Sequence, residues 1–241
     1  MIHYHGGPIT PETAFIESMQ GSHAFLSFGA PLQRDAILSA CQSFAIDNGA
    51  FAAWRAGTPI VDWAPFYTWA EDCRRFPTCD FAVIPDVIDG DEAANDALLD
   101  EWPLPREFGA PVWHMHESFE RLARLVSEWP RVCLGSSGDF ATVGTEKWWG
   151  RMAAAMMVCC RADGRPLTKL HGLRMLNPAV FSRLPLASAD STNVARNIGV
   201  DKRWTGSYQP NTKGGRAALI RSRVESQNAP VRWAFDVAPV F

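Results

Sequence analysis

Short apolar, β-prone runs recur along the chain, and each is followed by a stretch with helical periodicity. That alternation is the strongest constraint on the fold. Two strands separated by a helix-length crossover pair in parallel, so a chain built this way makes a parallel sheet covered by helices. The strand-like runs fall at residues 1–5, 23–28, 44–47, 80–84, 110–114, 131–135, 167–173 and 186–189. Helices are expected over about 10–20, 31–41, 62–76, 91–102, 118–129, 146–160 and 178–183. Thr10 reads as the first N-cap, with Pro11 at the first helical position. Eight strands favour a closed (β/α)8 TIM barrel over an open doubly wound sheet. No run is followed by G-x-G-x-x-G or a P-loop lysine, so a nucleotide-binding open sheet lacks its usual mark. Residues 1–200 are expected to form the barrel as a single domain. Residues 201–241 read as a basic C-terminal extension that completes it, and no linker separates the two.

In a barrel of this kind the C-terminal ends of the strands line the working face. Here those ends carry His5, Ser27, Asp47, Asp86, His114, Gly135, His171 and Asp190. Packing alone does not ask for so polar a set. In Phe44-Ala45-Ile46-Asp47-Asn48-Gly49-Ala50-Phe51 an apolar strand runs into an acid and then into an Asn-Gly turn, where glycine tolerates positive φ. Ala82-Val83-Ile84-Pro85-Asp86 and Leu186-Ala187-Ser188-Ala189-Asp190 repeat the design. Read singly, each acid suits the N-cap of the next helix equally well. Read together, they suit displacement at an anomeric carbon, with one carboxylate as nucleophile and another handling protons. A third acid can accept hydrogen bonds from the N–H edge of a purine-like base. Backbone amides around Gly135-Ser136-Ser137-Gly138 can donate to a ring carbonyl, although a plain turn explains that segment too.

The 241 residues are 47% hydrophobic and 20% charged, as expected for a soluble globular protein. No apolar run is long enough to span a membrane, and the N-terminus lacks a secretory pattern. A cytoplasmic location is therefore expected. Cys41, Cys73, Cys79, Cys133, Cys159 and Cys160 form no C-x-x-C pair and read as reduced core thiols. The net charge of −3 is unevenly spread: from Arg196 onward eight basic residues face three acids, giving +5 there and −8 elsewhere. A basic tail on an acidic body suits contact with a polyanion, and a solvated helix face suits it equally.

A second constellation suggests different chemistry. His3 and His5 share one side of their strand, and with His114, His171 and Asp190 they look like the scattered ligands of metal-dependent barrel hydrolases of small molecules. Against this, the sixth strand ends in Gly135 where that superfamily places a histidine.

Ile46-Asp47-Asn48-Gly49-Ala50-Phe51, Pro85-Asp86-Val87, Leu134-Gly135-Ser136-Ser137-Gly138, His171-Gly172-Leu173 and Ala189-Asp190-Ser191-Thr192 occur in that order at successive strand ends. Together, over about residues 1–200, they resemble the DpdA proteins, a family of deazapurine DNA-modification enzymes from phages and bacterial genomic islands. These are relatives of the tRNA-guanine (queuine) transglycosylases, which are (β/α)8 barrels. The resemblance implies exchange of guanine in a polynucleotide for a 7-deazaguanine such as 7-cyano-7-deazaguanine, through a covalent aspartyl-glycosyl intermediate and without a cofactor or catalytic metal. By position it implies Asp190 as nucleophile, Asp47 as general acid/base and Asp86 as the acid that reads the base. Asn48, Gly49, Gly135, Ser136, His171 and Arg196 would complete the substrate site. The tRNA enzymes carry C-x-C-x-x-C and a histidine after the nucleophile, as a zinc site. This chain has no cysteine after Cys160, which shifts the expected partner from tRNA to DNA. The Asn-Gly-Ala of this chain also replaces their Ser-Gly-Gly. A duplex hides C1′, so the target nucleotide would be flipped out or single-stranded. Phe51 and Trp113 are candidates to sandwich its base, and Lys202, Arg203, Lys213 and Arg216 to contact phosphates.

Overall fold

The structure, a computed structural model, describes residues 1–199, 204 and 208–235. Nine strands, β1 (Ile2–Gly6), β2 (His23–Ser27), β3 (Ser43–Asp47), β4 (Cys79–Val83), β5 (Gly109–Ala110), β6 (Val112–His114), β7 (Arg131–Gly135), β8 (Lys169–Gly172) and β9 (Ser188–Ser191), form one sheet. Its order is β5-β4-β3-β2-β1-β9-β8-β7-β6, and every pairing is parallel. The end strands β5 and β6 are consecutive in the chain, with only Pro111 between them. Proline has no N–H to give a ladder, so one strand is split there. Its first half pairs with β4 and its second with β7, while the Pro111 carbonyl still accepts from Cys133 at 2.8 Å. Nine strands thus occupy eight positions of a nearly closed TIM-like barrel, as the sequence leads one to expect.

Around it lie α1 (Glu12–Met19), α2 (Arg34–Ala40), α3 (Ala50–Arg55), α4 (Ala64–Arg74), α5 (Glu92–Asp100), α6 (Phe119–Glu128), α7 (Glu146–Cys159), α8 (Pro178–Phe181), α9 (Asn193–Asn197) and α10 (Lys213–Glu225). Two details depart from expectation. The first helix starts at Glu12 because Pro11 is extended (ψ 170°) and sits before it, so Thr10 does not cap it. The short α3, directly after the Asn-Gly turn, has no counterpart among the expected helices. Among the described residues no helix is long and apolar enough to cross a membrane.

The period-2 alternation of the strands sorts side chains into two cores. Tyr4, Phe25, Ala45, Phe81, Val83, Ala110, Val112 and Cys133 fill the lumen. Ile46, Ala82, Trp113, Leu134 and Ala189 point outward and pack with helix residues such as Phe66, Leu122, Met152 and Val180. Since Ala45 points in and Ile46 out, Asp47 points in at the top of the barrel; Asp190 does so by the same parity from Ala189. All six cysteines are free thiols. Burial raises the pKa of Cys41 (to about 12), Cys73 and Cys160 (each to about 11), and those of Cys79, Cys133 and Cys159 still further, as befits unreactive core residues.

One buried polar cluster fixes the β6–α6 turn. Arg121, buried at the start of α6, donates to Glu117 Oε2 (2.7 Å), Asp96 Oδ1 (2.9 Å) and the Val112 carbonyl (2.8 Å). Glu117 also accepts from the His114 backbone N–H (2.9 Å) and from Asn95 (3.0 Å). Removing one partner strands the other charge in the interior. Arg121→Ala should therefore cost about 3–5 kcal/mol in chemical denaturation. A loss below about 1 kcal/mol would show that the cluster does not hold the turn.

Candidate active site

Asp47 is the last residue of β3. Its Oδ2 accepts from the Ser27 hydroxyl (3.0 Å) and, at 3.3 Å, from the Gly49 N–H. Gly49 sits at φ 81°, and a Cβ there would meet the Gly29 nitrogen at 3.2 Å; the close turn needs glycine on both counts. Burial pushes the Asp47 carboxyl up to about 7. The Asp190 charge adds to this and Asp86 adds less, while the bonds from Ser27 and Gly49 oppose it. Asp47 is therefore a carboxyl that can hold or release a proton near neutrality.

Asp86 lies just beyond β4. Its Oδ1 accepts from the Asn48 amide (2.7 Å), whose nitrogen also reaches the Ile84 carbonyl (2.8 Å) while its oxygen accepts from Ala50 (2.8 Å). Asn48, expected against a substrate, is thus occupied in tying the β3 and β4 ends together and positions Asp86. His114 Nε2 approaches Asp86 Oδ2 to 3.0 Å, but off the axis of a hydrogen bond.

Asp190 lies within β9 and is buried. Its Oδ1 accepts from the Arg174 backbone N–H at 2.8 Å. None of the three acids caps a helix: Gly49, Asp91 and Thr192 hold the N-cap positions of α3, α5 and α9. Under Asp190 lies His171, 0% exposed and stacked on Phe25 (5.4 Å). Its Nδ1 shares a hydrogen bond with Ser188 (2.9 Å), which also accepts from Arg131 (3.1 Å). Its Nε2 comes within 3.4 Å of Asp190 Oδ1 without good hydrogen-bond geometry. Burial lowers the His171 pKa, with Asp190 opposing. His171 was expected to touch substrate; enclosed in the lumen, it supports Asp190 from below instead.

Arg174, whose backbone N–H meets Asp190, also lines a cavity of about 580 Å³ together with Phe51, Trp54, Arg55, Asp89 and Ser136; the three acids border it through Arg174 and are not part of its walls. A Cβ on Gly135, at the end of β7, would press on the Val112 methyl at 3.1 Å, so a larger residue there requires that valine to shift. The Ser136 hydroxyl accepts from Trp148 (2.9 Å), which fixes the loop at the cavity wall. A hollow of about 590 Å³ at the opposite end of the barrel, beside Met1, Lys169 and Leu186, is far from these acids and offers no carboxylate for chemistry. No family model, curated protein or solved structure matches the chain.

Several other expected contacts lie elsewhere. His3 and His5 do share a side of β1, but Tyr4 takes the lumen and they face outward. His3 Nε2 meets the Gln227 carbonyl (3.0 Å) and His5 Nε2 meets Glu225 Oε1 (3.0 Å), both on the side of the C-terminal segment. They cannot join His114, His171 and Asp190 around a metal, and among the described residues no three His, Cys, Asp or Glu residues form such a group. Trp113 is buried in the outer core, donating to the Ser118 carbonyl (2.9 Å), so it does not stack a base. Arg216, expected on phosphate, is buried and donates to the carbonyls of Ile198 (2.7 Å), Pro210 (2.9 Å) and Asn211 (3.0 Å). Lys213 is exposed at the start of α10, and Arg196 is exposed on α9. Lys202 and Arg203 lie outside the described residues.

Arg174 went unforeseen. Its backbone is left-handed (φ 58°), its guanidinium lies 3.9 Å from the Phe51 ring centroid, and it donates to the Ser136 carbonyl at 3.3 Å. Its position in a short loop after a strand-end histidine was the only signal available.

Proposed function

We propose that the chain is a DNA base-exchange transglycosylase that replaces guanine by a 7-deazaguanine derivative. The observation that carries this reading is the pairing at one barrel mouth of Asp190 with Asp47, a carboxyl poised near neutrality, next to Asp86 and the cavity. The order of the chain's strand-end motifs, which resembles that of the DpdA-like family, supports it. In the first step an Asp190 oxygen bonds to C1′ as the C1′–N9 bond breaks. The electron pair leaves with the purine, which takes the Asp47 proton. In the second step Asp47 removes a proton from the incoming 7-deazaguanine, whose nitrogen attacks C1′ and releases Asp190. The oxocarbenium-like transition states are stabilised by the carboxylates around them. Asp86 accepts from the N–H edge of the base, and the Gly135-Ser136 segment borders its carbonyl. Phe51 supplies a stacking face. No cofactor is required.

The test is incubation of the protein with radiolabelled 7-cyano-7-deazaguanine and either single-stranded DNA, duplex DNA or tRNA. Label is expected in DNA, along with a denaturation-resistant protein–DNA adduct. Label in tRNA alone would overturn the choice of DNA. The absence of label in every polymer, with no adduct, would overturn base exchange.

A further inference from the structure

Three arginines reach the mouth from three separate elements: Arg55 from the end of α3, Arg174 from the turn after β8 and Arg196 from α9. Arg55 and Arg196 are both near enough to act unfavourably on the Arg174 cation. Among the described residues none of the three has an ion-pair partner, although the acids of the site lie close by. Asp190 and Asp47 act on the Arg174 cation through space without pairing with it, so an anionic ligand can still make direct charge-assisted hydrogen bonds to it. Arg174 is the best placed of the three. Its left-handed backbone, costly for any residue but glycine, is held by its N–H bond to Asp190. Its guanidinium has five donors, yet only the Ser136 carbonyl accepts from it, at 3.3 Å, while its flat face covers the Phe51 ring. Arg55 approaches the same ring at 5.9 Å, and both arginines line the cavity of about 580 Å³.

We propose that Arg174 and Arg55 form a phosphate-binding locus that takes a phosphodiester beside the reacting nucleotide, so that the site selects a nucleotide over a nucleoside. The proposal rests on the base-exchange reading and names how the site anchors its polymer. A guanidinium fork binds phosphate oxygens in bidentate fashion, and this suits Arg174 better than its present single acceptor. When phosphate draws the guanidinium away, the Phe51 face it now covers becomes free to stack a base. Anchoring and base admission are thereby coupled through one side chain.

Calorimetric titration of the full chain with 2′-deoxyguanosine and with its 3′,5′-bisphosphate tests this. The bisphosphate should bind at least about tenfold more tightly, as charge-assisted hydrogen bonds to phosphate require. Arg174→Gly removes the guanidinium while suiting the left-handed backbone, and Arg55→Ala removes the second cation. Each should cut the preference to about threefold or less by weakening the bisphosphate, and Arg174→Gly, which also uncovers Phe51, should bind the nucleoside at least as tightly as the wild type does. Arg223→Ala, which removes an exposed charge on α10, should leave the preference intact. Equal affinity of the wild type for both ligands, or full preference in Arg174→Gly and Arg55→Ala, would overturn the locus. The two readings fail separately. A phosphate preference lost in the variants, with no label entering DNA, leaves the locus standing and removes base exchange. Label entering DNA with unchanged oligonucleotide KM in both variants removes the locus alone.

Discussion

Asp190→Asn should abolish both base exchange and the trapped protein–DNA adduct, lowering turnover by about four orders of magnitude or more, as loss of a covalent nucleophile does. The replacement is nearly isosteric. The amide oxygen can still accept from the Arg174 N–H, so the loop keeps its anchor and the fold should persist. What is lost is the charge that forms the bond to C1′. A structural role for Asp190 predicts a different result, with reduced thermal stability and an adduct still detectable in proportion to folded protein. There is also a readout that does not depend on activity. Asp190 is one of the groups that raise the Asp47 carboxyl to about 7. Neutralising Asp190 should shift the Asp47 titration downward, measurable by carboxyl-carbon NMR. An unshifted Asp47 would mean that the two acids do not share one electrostatic site.

The physics of the barrel explains what could be read from the sequence and what could not. Strand ends are legible because apolar runs stop abruptly, so the sequence by itself places Asp47, Asp86 and Asp190 at a common mouth. The parity of β1 is not legible. Period-2 alternation says that His3 and His5 share a face, but not which face, and the lumen takes Tyr4 because its ring fills the barrel between Phe25 and Phe81. Charge was equally ambiguous. Arg216 counts as a cation in the sequence, yet three carbonyls absorb its guanidinium inside the fold. Arg221 likewise donates to the Ser18 carbonyl and lies beside Glu225, so the C-terminal excess of positive charge is partly mortar between α10 and α1. Arg174 escaped notice because its importance comes from a backbone twist and from neighbours at 51, 136 and 190, none of which local sequence reveals. The acids themselves show why strand-end chemistry is easier to find. Their direction follows from one alternation rule, whereas a loop arginine can point almost anywhere.

Asp47→Asn should lower exchange by about two to four orders of magnitude, the usual contribution of a general acid/base, and at the same time raise stability at alkaline pH. The two effects have one cause. The Asp47 carboxyl titrates near 7 in the folded chain, against an ordinary value of 3.8, chiefly because burial disfavours its charged form. Between those values the folded state holds a proton that the unfolded state has released. Stability therefore falls as pH rises from about 4 to about 7, and above the folded pKa the penalty is fully present. Asparagine carries no such penalty. The variant should match the wild type in thermal denaturation at pH 4 and exceed it at pH 8, with the difference growing through pH 5–7. Ser27→Ala, which removes a bond that lowers the Asp47 pKa, should move the titration further up and carry the activity profile with it in the same direction. A wild-type chain whose stability relative to Asp47→Asn does not change with pH would show that the acid is not held out of water. The proton-handling role would fall with it, because an Asp47 carboxyl with an ordinary pKa has no proton to give the departing guanine at neutral pH.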